Sequence, residues 1–417
     1  MKLPRLPRTT NYDLTLIGVV LALTLIGIAM VFSASGIRAL DTLDDPKYYL
    51  NWQALWAVFG LAGMLFAMRI DYHRYRAFVV PLLVLVVVLL VLVLVPGIGV
   101  RAGGAARWLR AGPVGVQPAE LAKLVLILYL AAWLGGRRDH IARPSVVVPF
   151  FLVTSLIAAL VVAEPDLGTA IVIIAIAMTM YFVAGARLRV FAALGAMVAV
   201  VGLAVAIEQP YRLQRLTTFL DPWSDPQGAG FQTIQSLYGL ALGGLFGEGL
   251  GAGREKFGFL PAPYTDSIFA VLGDELGLAG TLAVIALFFV LAYRGTRIAL
   301  RARDATGALL ASGITTWLVF QAWVNMGVVA SLVPMTGITL PFISYGGSSL
   351  CVSLIAVGIL LNIGREAGPA PARVSRAPRR GRDGRSHQPA ARDRRGTAKG
   401  GSRGAAPVHR WTSRTRG

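Results

Sequence analysis

Ten long apolar runs, separated by mostly short polar connections, constrain this chain more than any other feature of its sequence. Several of them approach the ~20 residues that an α-helix needs to cross a bilayer. Only 15% of the residues are charged and 55% are hydrophobic, whereas about a quarter of a soluble protein is charged. The sequence therefore predicts an all-α polytopic membrane protein with ten transmembrane helices, over residues 13–33, 51–68, 77–96, 119–135, 145–163, 167–185, 188–207, 266–292, 307–330 and 343–363.

The distribution of basic residues predicts how these helices are oriented. Five segments on one side of the predicted membrane carry 15 lysines and arginines: 1–12, 69–76, 136–144, 186–189 and 293–306. Four short loops on the other side carry 5: 34–50, 97–118, 164–166 and 331–342. Because basic loops stay in the cytoplasm, both termini are predicted to be cytoplasmic. Arg101, Arg107 and Arg110 are then extracytoplasmic, where they are either merely tolerated or bind an anion.

The predicted organisation has three parts: a short cytoplasmic N-terminus (1–12), a membrane domain (13–363) and a C-terminal tail (364–417). The extracytoplasmic connection 208–265, between helices 7 and 8, is rich in Gly and Pro, and loops of this length are usually functional or disordered. Its helix-like apolar spacing favours a short interfacial or re-entrant segment. Residues 364–417 carry 15 lysines and arginines against 3 acids and are predicted to form a disordered cytoplasmic tail.

Cysteine and histidine usage argues against two kinds of site. The chain has one cysteine, Cys351, so an intramolecular disulfide is excluded. The four histidines are scattered and never at metal-ligand spacing, which argues against a His/Cys metal site. No nucleic-acid-binding signature accompanies the basic tail, so its charge suits an anionic membrane surface or an acidic partner.

Ionisable residues inside predicted spans are costly and are candidates for function. Glu120 and Lys123 lie three residues apart at the start of the fourth span, so they share a helix face and can form an ion pair. This pair either only lets the helix enter the bilayer or also holds Lys123 towards a polar cavity. Asp166, in the turn "AEPDLGTA", either caps the following helix, which its position favours, or takes part directly in the chemistry.

The stretch "FLPAPYTDSIFAVLGDEL" (259–276) enters the eighth span with three acids. Thr265 or Asp266 is the predicted helix N-cap, which places Asp266 at the outer membrane surface, where it is either a cap or a general base. Asp274 and Glu275 lie roughly 12–14 Å deeper at ~1.5 Å per residue and are expected to pair within the bundle.

The stretch "GITLPFISYGGSSL" (337–350) enters the tenth span. Its proline and paired glycines interrupt regular structure at membrane depth, which requires neighbouring protein or a water-filled cavity. Ser344, Ser348 and Ser349 therefore line a cavity wall or a tight helix contact. A base, arginines and a polar cavity at the outer leaflet suit a lipid-linked anionic substrate.

These motifs together resemble the SEDS family of FtsW, RodA and their sporulation relatives, from about residue 13 to 363. The resemblance rests on "GAARWLRAGPVGVQPAELAKL", "AEPDLGTA", "FLDPWSDPQGAGFQTIQSLYGLALGGLFGEGLGAG", "LPAPYTDSIFAVLGDELG" and "LPFISYGGSS", which occur in family order. The third and fourth motifs are more similar to FtsW than to RodA. Ala262, Tyr264 and Ser267 depart from the family's usual residues around its "TD" motif.

The resemblance implies a ten-span glycosyltransferase that polymerises lipid II into peptidoglycan at the outer face of the cytoplasmic membrane, with septal synthesis in cell division as the expected role. It implies a class B penicillin-binding protein as transpeptidase partner, together with the nascent glycan and other divisome membrane proteins. Asp266 corresponds to the family's essential acid. The expected substrate-binding residues are Arg107, Lys123, Glu120, Asp166, Lys256 and Ser348. A divalent cation, Mg²⁺ or Mn²⁺, could assist, although the sequence shows no dedicated metal cage.

Three other functions stay open on the sequence alone. A RodA-like polymerase of cell elongation shares the same motifs. A lipid II flippase would use Glu120, Lys123, Asp274 and Asn325 as a polar path, although the clearest polar candidates cluster outside. A non-catalytic scaffold would recruit a synthase through the basic tail, and Asp266 would then be only a helix cap.

Overall fold

The structure is a computed structural model, and it describes residues 12–102, 105–112, 114–208, 210–254, 256, 260–261 and 263–366. Most of the predicted tail, Ala262 and the N-terminal residues 1–11 lie outside this part of the chain. Its twelve α-helices are α1 (Leu14–Leu43), α2 (Tyr48–Arg69), α3 (Val79–Leu94), α4 (Pro118–Gly135), α5 (Pro144–Ala163), α6 (Leu167–Val183), α7 (Leu188–Glu208), α8 (Pro210–Leu220), α9 (Phe231–Leu242), α10 (Ile268–Arg301), α11 (Ala305–Val329) and α12 (Gly347–Glu366).

Each of the ten predicted spans coincides with one of these helices, so the all-α membrane fold class is confirmed. Seven described helices are long and apolar enough to cross a bilayer: α1, α2, α4, α5, α10, α11 and α12. Helices α3 and α6 are apolar but shorter, and so is the apolar part of α7, at its N-terminal end. The count of ten transmembrane helices therefore stays a prediction.

Several helices extend beyond the apolar runs that predicted them. Helix α1 continues ten residues past its predicted end, to Leu43, where Asp44 adopts a left-handed conformation (φ 56°) and closes the helix. Helix α12 continues to Glu366, three residues past the predicted end of the tenth span at 363. An apolar run indicates only the part of a helix that lies in the bilayer. The helix itself continues until its backbone conformation changes.

The connection between α3 and α4 contains the main departure from the predicted all-α pattern. It forms a three-stranded antiparallel sheet of β1 (Gly99–Ala102), β2 (Ala105–Ala111) and β3 (Val114–Val116), with β2 in the centre. A reading based on apolar runs treats this segment as a loop, because its strands are short and contain arginines. The sheet positions Arg107, which lies on the central strand.

Helix α10 is interrupted at Gly277, whose backbone angles (φ 66°, ψ −165°) are not helical. Partners from the Gly-rich turn after α9 satisfy the interrupted backbone: the N–H of Glu248 donates to Asp274 O at 3.0 Å, and that of Leu278 donates to Gly244 O at 2.9 Å. The turn after α9 is therefore docked on α10 through main-chain hydrogen bonds.

Candidate functional site

Asp266 lies in the turn that leads into α10, one residue before the helix N-cap. That cap is Ser267, and its side chain makes no capping hydrogen bond, so the prediction that Thr265 or Asp266 caps the helix is wrong. A turn continues from Pro263 to Ser267, so the helix begins only at Ile268. The Asp266 carboxylate instead accepts hydrogen bonds from the Thr265 hydroxyl at 2.9 Å and from Gln232 Nε2 at 3.4 Å.

The backbone around Asp266 is held from two other elements. Asn325 on α11 donates its side-chain amide to Asp266 O at 2.8 Å. The Ser344 hydroxyl, in the irregular connection between α11 and α12, donates to Thr265 O at 2.6 Å. We call this connection (330–346) the 330–346 segment. The main chain of Asp266 is therefore fixed while its carboxylate faces polar neighbours.

Burial is the largest influence on the Asp266 carboxyl and raises its pKa. Hydrogen bonds from Thr265 and Gln232 and the positive charge of Arg215 act in the opposite direction. Arg215, on α8, also lines a cavity of about 280 Å³ that includes Thr233, the neighbour of Gln232, and Met335 of the 330–346 segment. A carboxyl with a raised pKa is a stronger proton acceptor than an ordinary aspartate when ionised.

Arg107 lies at the same end of the helical bundle as Asp266. Its guanidinium donates to the main-chain oxygens of Glu164, at 3.2 Å from Nε, and of Pro165. The Glu164 side chain is only 1% exposed, and neither carboxylate oxygen has a hydrogen-bond partner among the described residues. Burial and the charge of Asp166 raise the pKa of Glu164 to about 8, against the opposing effect of Arg107.

Asp166 caps α6, as its position predicted. Its carboxylate accepts from the Thr169 N–H at 3.1 Å, from the Thr169 hydroxyl at 2.9 Å and from Gln117 Nε2 at 3.3 Å. Gln117 also donates its main-chain N–H to the Ser348 hydroxyl at 3.3 Å. Asp166 and Ser348, both predicted from sequence motifs, are therefore joined through one glutamine that the sequence reading did not single out.

The predicted ion pair of Glu120 and Lys123 is confirmed. Lys123 Nζ lies 2.8 Å from Glu120 Oε1 and donates to Gln321 Oε1 at 2.7 Å, and the residue is only 1% exposed. Gln321 donates in turn to Thr339 O at 2.9 Å. The pair is therefore connected to the 330–346 segment through Gln321.

Among the described residues, Lys256 makes no contact with Asp266. It forms its ion pair with a residue further along α10. Its Nζ lies 2.8 Å from Glu275 Oε1 and 3.2 Å from the Ser33 hydroxyl. Asp274 accepts from the Arg254 N–H at 2.7 Å. Glu275 therefore forms an ion pair, as expected, with a lysine of the 208–265 connection, whereas Asp274 accepts a main-chain hydrogen bond from the same connection. The substrate-binding role of Lys256 stays a prediction.

The 330–346 segment links these groups. Asn325 binds Ile338 O at 2.8 Å, and a methyl group added at Gly168 on α6 would meet Thr336 O at 2.9 Å. Asp266, the Glu120–Lys123 pair and the Asp166 turn thus lie around one segment. Sequence reasoning missed three uncharged amides here, Gln117, Gln232 and Gln321, because a search for charges in apolar runs does not detect them. It also missed Arg215, which lies in the 208–265 connection outside the apolar runs. The sequence suggests Asn325 only as part of a transport path.

A comparison with known proteins identifies the family. The family model of FtsW, RodA and SpoVE, described as a cell cycle protein, matches residues 13–368. A protein of Trichlorobacter lovleyi named probable peptidoglycan glycosyltransferase FtsW is 42% identical over 365 residues, which cover 87% of this chain and 96% of that protein. Stage V sporulation protein E of Bacillus subtilis is 44% identical over 364 residues, 86% of this chain and 98% of that one.

Solved structures agree with this relationship. A chain from a peptidoglycan synthase complex, described as coordinating polymerization and crosslinking, superposes with a TM-score of 0.69 at 33% identity, over 85% of this chain and 98% of that one. The rod shape determining protein RodA of Thermus thermophilus superposes with a TM-score of 0.64 at 29% identity, over 87% and 99%. With its membrane-spanning helices and its motifs arranged around the 330–346 segment, this chain belongs to the FtsW/RodA/SpoVE family.

Proposed function

We propose that this protein is a peptidoglycan glycosyltransferase that polymerises lipid II, with Asp266 as its general base. The observation that carries the proposal is the placement of Asp266: its main chain is fixed by Asn325, while its carboxylate lies beside Gln232 and Arg215. Relatives named as probable peptidoglycan glycosyltransferases, at more than 40% identity over most of the chain, supply the substrate class.

The reaction joins two lipid-linked sugars and needs a base. The hydroxyl of one sugar attacks the anomeric carbon of the other, and a polyprenyl diphosphate leaves. Asp266 accepts the hydroxyl proton as the new glycosidic bond forms, a contribution of ~10²–10⁴-fold for a well-placed base. Burial favours this role because it raises the pKa of Asp266.

The departing diphosphate develops negative charge, which arginine stabilises well through charge-assisted hydrogen bonds. Arg107 uses its Nε and Nη2 for two main-chain oxygens, and a guanidinium carries five N–H donors in all. We assign this role to Arg107. We assign Lys123, with Glu120, to holding the substrate-facing 330–346 segment through Gln321, and Asp166 and Ser348 to the same wall of the site.

A divalent cation, Mg²⁺ or Mn²⁺, fits this site only in combination with the substrate. No group of three histidine, cysteine, aspartate or glutamate side chains surrounds Asp266 in the part of the chain that the structure describes. Magnesium commonly binds one or two carboxylates and completes its shell with water and substrate phosphates. Asp266 would supply the carboxylate, and the cation would offset diphosphate charge.

We further propose septal synthesis in cell division as the role and a class B penicillin-binding protein as the transpeptidase partner. The curated relatives named FtsW support the first proposal, and the synthase complex of polymerization and crosslinking supports the second. Orientation with both termini in the cytoplasm, which would place Asp266 outside, rests on the distribution of basic residues.

The test compares glycan polymerisation by the purified wild type and the Asp266→Asn variant on lipid II in liposomes, with and without the cognate transpeptidase. Asp41→Asn, an exposed acid near the end of α1, is the matched control. We expect polymer from the wild type and the control and none from the folded Asp266→Asn variant. Normal polymerisation by that variant would refute the assignment of Asp266 as the general base. No polymer from the wild type with its partner would favour a flippase or a scaffold.

A further inference from the structure

Four ionisable side chains meet at the end of α10 that lies opposite to Asp266. His73 Nδ1 lies 2.7 Å from Asp71 Oδ1, and His73 Nε2 lies 3.2 Å from Asp304 Oδ2. One side-chain nitrogen or oxygen from each of Asp71, His73 and Glu366 lies within 4.8 Å of the others. These residues come from three separate parts of the chain: the α2–α3 connection, the α10–α11 connection and the last residue of α12.

Glu366 is the unusual member of this cluster. It is 7% exposed, yet its carboxylate has no hydrogen bond or ion pair among the described residues. A carboxylate that has lost most of its contact with water is stabilised by a nearby positive charge. One of its oxygen atoms lies within 4.8 Å of a ligand atom of His73 and of Asp71, so the cluster holds more negative charge than one imidazole can compensate.

The other carboxylates are held in fixed orientations. Asp304 Oδ1 accepts from the Tyr72 hydroxyl at 2.8 Å and from the Gly307 N–H at 2.9 Å. This leaves Oδ2 directed at His73 Nε2. Asp71 Oδ1 accepts from the His73 N–H at 2.9 Å as well as facing Nδ1. Hydrogen bonds of this kind orient the ligands of metal sites, including a carboxylate on the second nitrogen of a histidine ligand.

We propose that His73, Glu366 and Asp71 bind a divalent transition-metal cation of the Zn²⁺ or Mn²⁺ class, with Asp304 holding the second nitrogen of the imidazole. One imidazole with carboxylates suits these ions, whereas Mg²⁺ and Ca²⁺ prefer oxygen ligands alone. Asp304 Oδ2, 3.2 Å from His73 Nε2, is the carboxylate that fixes the tautomer and orientation of the imidazole, as the partners of metal-bound histidines do. The cation supplies the positive charge that Glu366 lacks.

The bound cation would join the α2–α3 connection to the end of α12, immediately before residues 367–417, and His73 would link it to Asp304 in the α10–α11 connection. Sequence spacing concealed this site, because only Asp71 and His73 are neighbours in the chain. The proposal is independent of the polymerase activity and of any cation at Asp266.

The first experiment measures Zn²⁺ binding to the full-length protein in detergent, without a polyhistidine tag, by competition with a chromogenic chelator. We expect one tight equivalent in the wild type and affinity at least tenfold weaker in His73→Ala and in Glu366→Gln. His140→Ala, an exposed histidine in another connection, and Asp266→Asn should bind like the wild type. The Asp266→Asn variant separates this site from a cation at the candidate active site.

A second measurement keeps the test decisive if one variant is unstable. Because a ligand that binds only the folded state stabilises it, Zn²⁺ should raise the thermal unfolding temperature of the wild type and of His140→Ala, but not of Glu366→Gln. Mn²⁺ should lose its free-ion electron paramagnetic resonance signal with the same pattern. Equal binding by the wild type, His73→Ala and Glu366→Gln would overturn the proposal. So would a wild type that binds neither metal, since a protonated His73 alone would then hold the carboxylates.

Discussion

Asn325 donates its side-chain amide to the main-chain oxygen of Asp266 at 2.8 Å, and the same nitrogen donates to Ile338 O at 2.8 Å. One side chain on α11 therefore connects the turn before α10 to the 330–346 segment. Both acceptors are main-chain atoms, so Asn325 fixes where Asp266 lies without occupying its carboxylate. The amide thus acts as a positioning residue for the proposed base.

Replacement of Asn325 by leucine, which has a similar shape, should slow polymerisation by ~10–100-fold, because an error of about 1 Å in the position of a catalytic group can cost that much. The apparent KM for lipid II should change little, since the amide contacts the backbone of the base. The measurement is the initial rate per folded protein.

Asn362→Leu is the matched control for this prediction. Asn362 is a buried amide near the opposite end of the bundle, where it donates to Met68 O at 2.9 Å and accepts from the Tyr72 N–H at 3.2 Å. We expect it to lower stability without a comparable loss of rate in the protein that remains folded. Equal rate losses in the two variants would show that Asn325 contributes only to stability.

Much of the helical architecture could be predicted because apolar runs report directly on burial in a bilayer. The ion pair of Glu120 and Lys123 and the cap formed by Asp166 were also predictable, because i,i+3 spacing and helix N-termini are local properties. The same local reasoning assigned Asp266 to the N-cap, whereas the helix begins two residues later, at Ile268. A turn can continue past a plausible cap residue, and sequence alone does not fix that register.

The remaining features depend on contacts between distant residues. The sheet that carries Arg107 is made of strands too short for a clear alternation signal. The interruption of α10 at Gly277 requires hydrogen-bond acceptors and donors from the turn after α9. This turn lies about 30 residues earlier by the helix bounds, and no sequence pattern within α10 predicts these contacts. The cluster of His73, Asp304 and Glu366 requires the tertiary fold.

The Glu120–Lys123 pair predicts a difference between single and double variants. Lys123→Met should destabilise the protein by ~3–5 kcal/mol, because it leaves Glu120 buried without its partner. Adding Glu120→Gln should restore most of this stability, since a neutral amide costs less to bury than an unpaired carboxylate. Unfolding in mixed micelles measures both.

The double variant then separates structure from function. If Lys123 positions the 330–346 segment through Gln321, the double variant should be stable yet polymerise at least tenfold more slowly than the wild type. A stable and fully active double variant would show that the pair only allows α4 to enter the bilayer.

The buried Glu164 predicts that the wild type loses stability as the pH rises, relative to a Glu164→Gln variant. Burial and Asp166 raise its pKa in the folded protein to about 8 from the ordinary 4.5, so the folded state favours the neutral carboxyl. The contribution of Glu164 is most favourable below about pH 4.5 and is lost as the pH rises through about 8. Glu164→Gln stays neutral throughout, so its stability relative to the wild type should rise across this window by up to ~1.4 kcal/mol per pH unit.

Thermal unfolding of both proteins at about pH 5 and at about pH 9 checks this. The two unfolding temperatures should be similar at the lower pH. At the higher pH, the unfolding temperature of Glu164→Gln should be clearly higher than that of the wild type. Glu248→Gln, which replaces a partly exposed glutamate beside Arg254, should show no such divergence. A Glu164→Gln advantage that is independent of pH would mean that Glu164 is ionised throughout.

Two glycines with left-handed backbone angles test the docking of the 208–265 connection on α10. Gly247 has φ 80°, and a Cβ there would lie 2.2 Å from Glu275 O; Gly112 has φ 62° and open space around it. Alanine at either position costs ~1–2 kcal/mol for the left-handed conformation. Only Gly247→Ala also forces the turn away from α10, which breaks the hydrogen bond from the Glu248 N–H to Asp274 O.

We therefore expect Gly112→Ala to lower stability by no more than ~2 kcal/mol and to leave polymerisation intact, whereas Gly247→Ala should cost clearly more. Because Lys256 and Arg254 reach Glu275 and Asp274 from the same connection, Gly247→Ala should also expose this connection to limited proteolysis and slow polymerisation. Similar proteolysis of the two variants would show that the turn is held by the Lys256–Glu275 pair alone and that its main-chain contacts with α10 are dispensable.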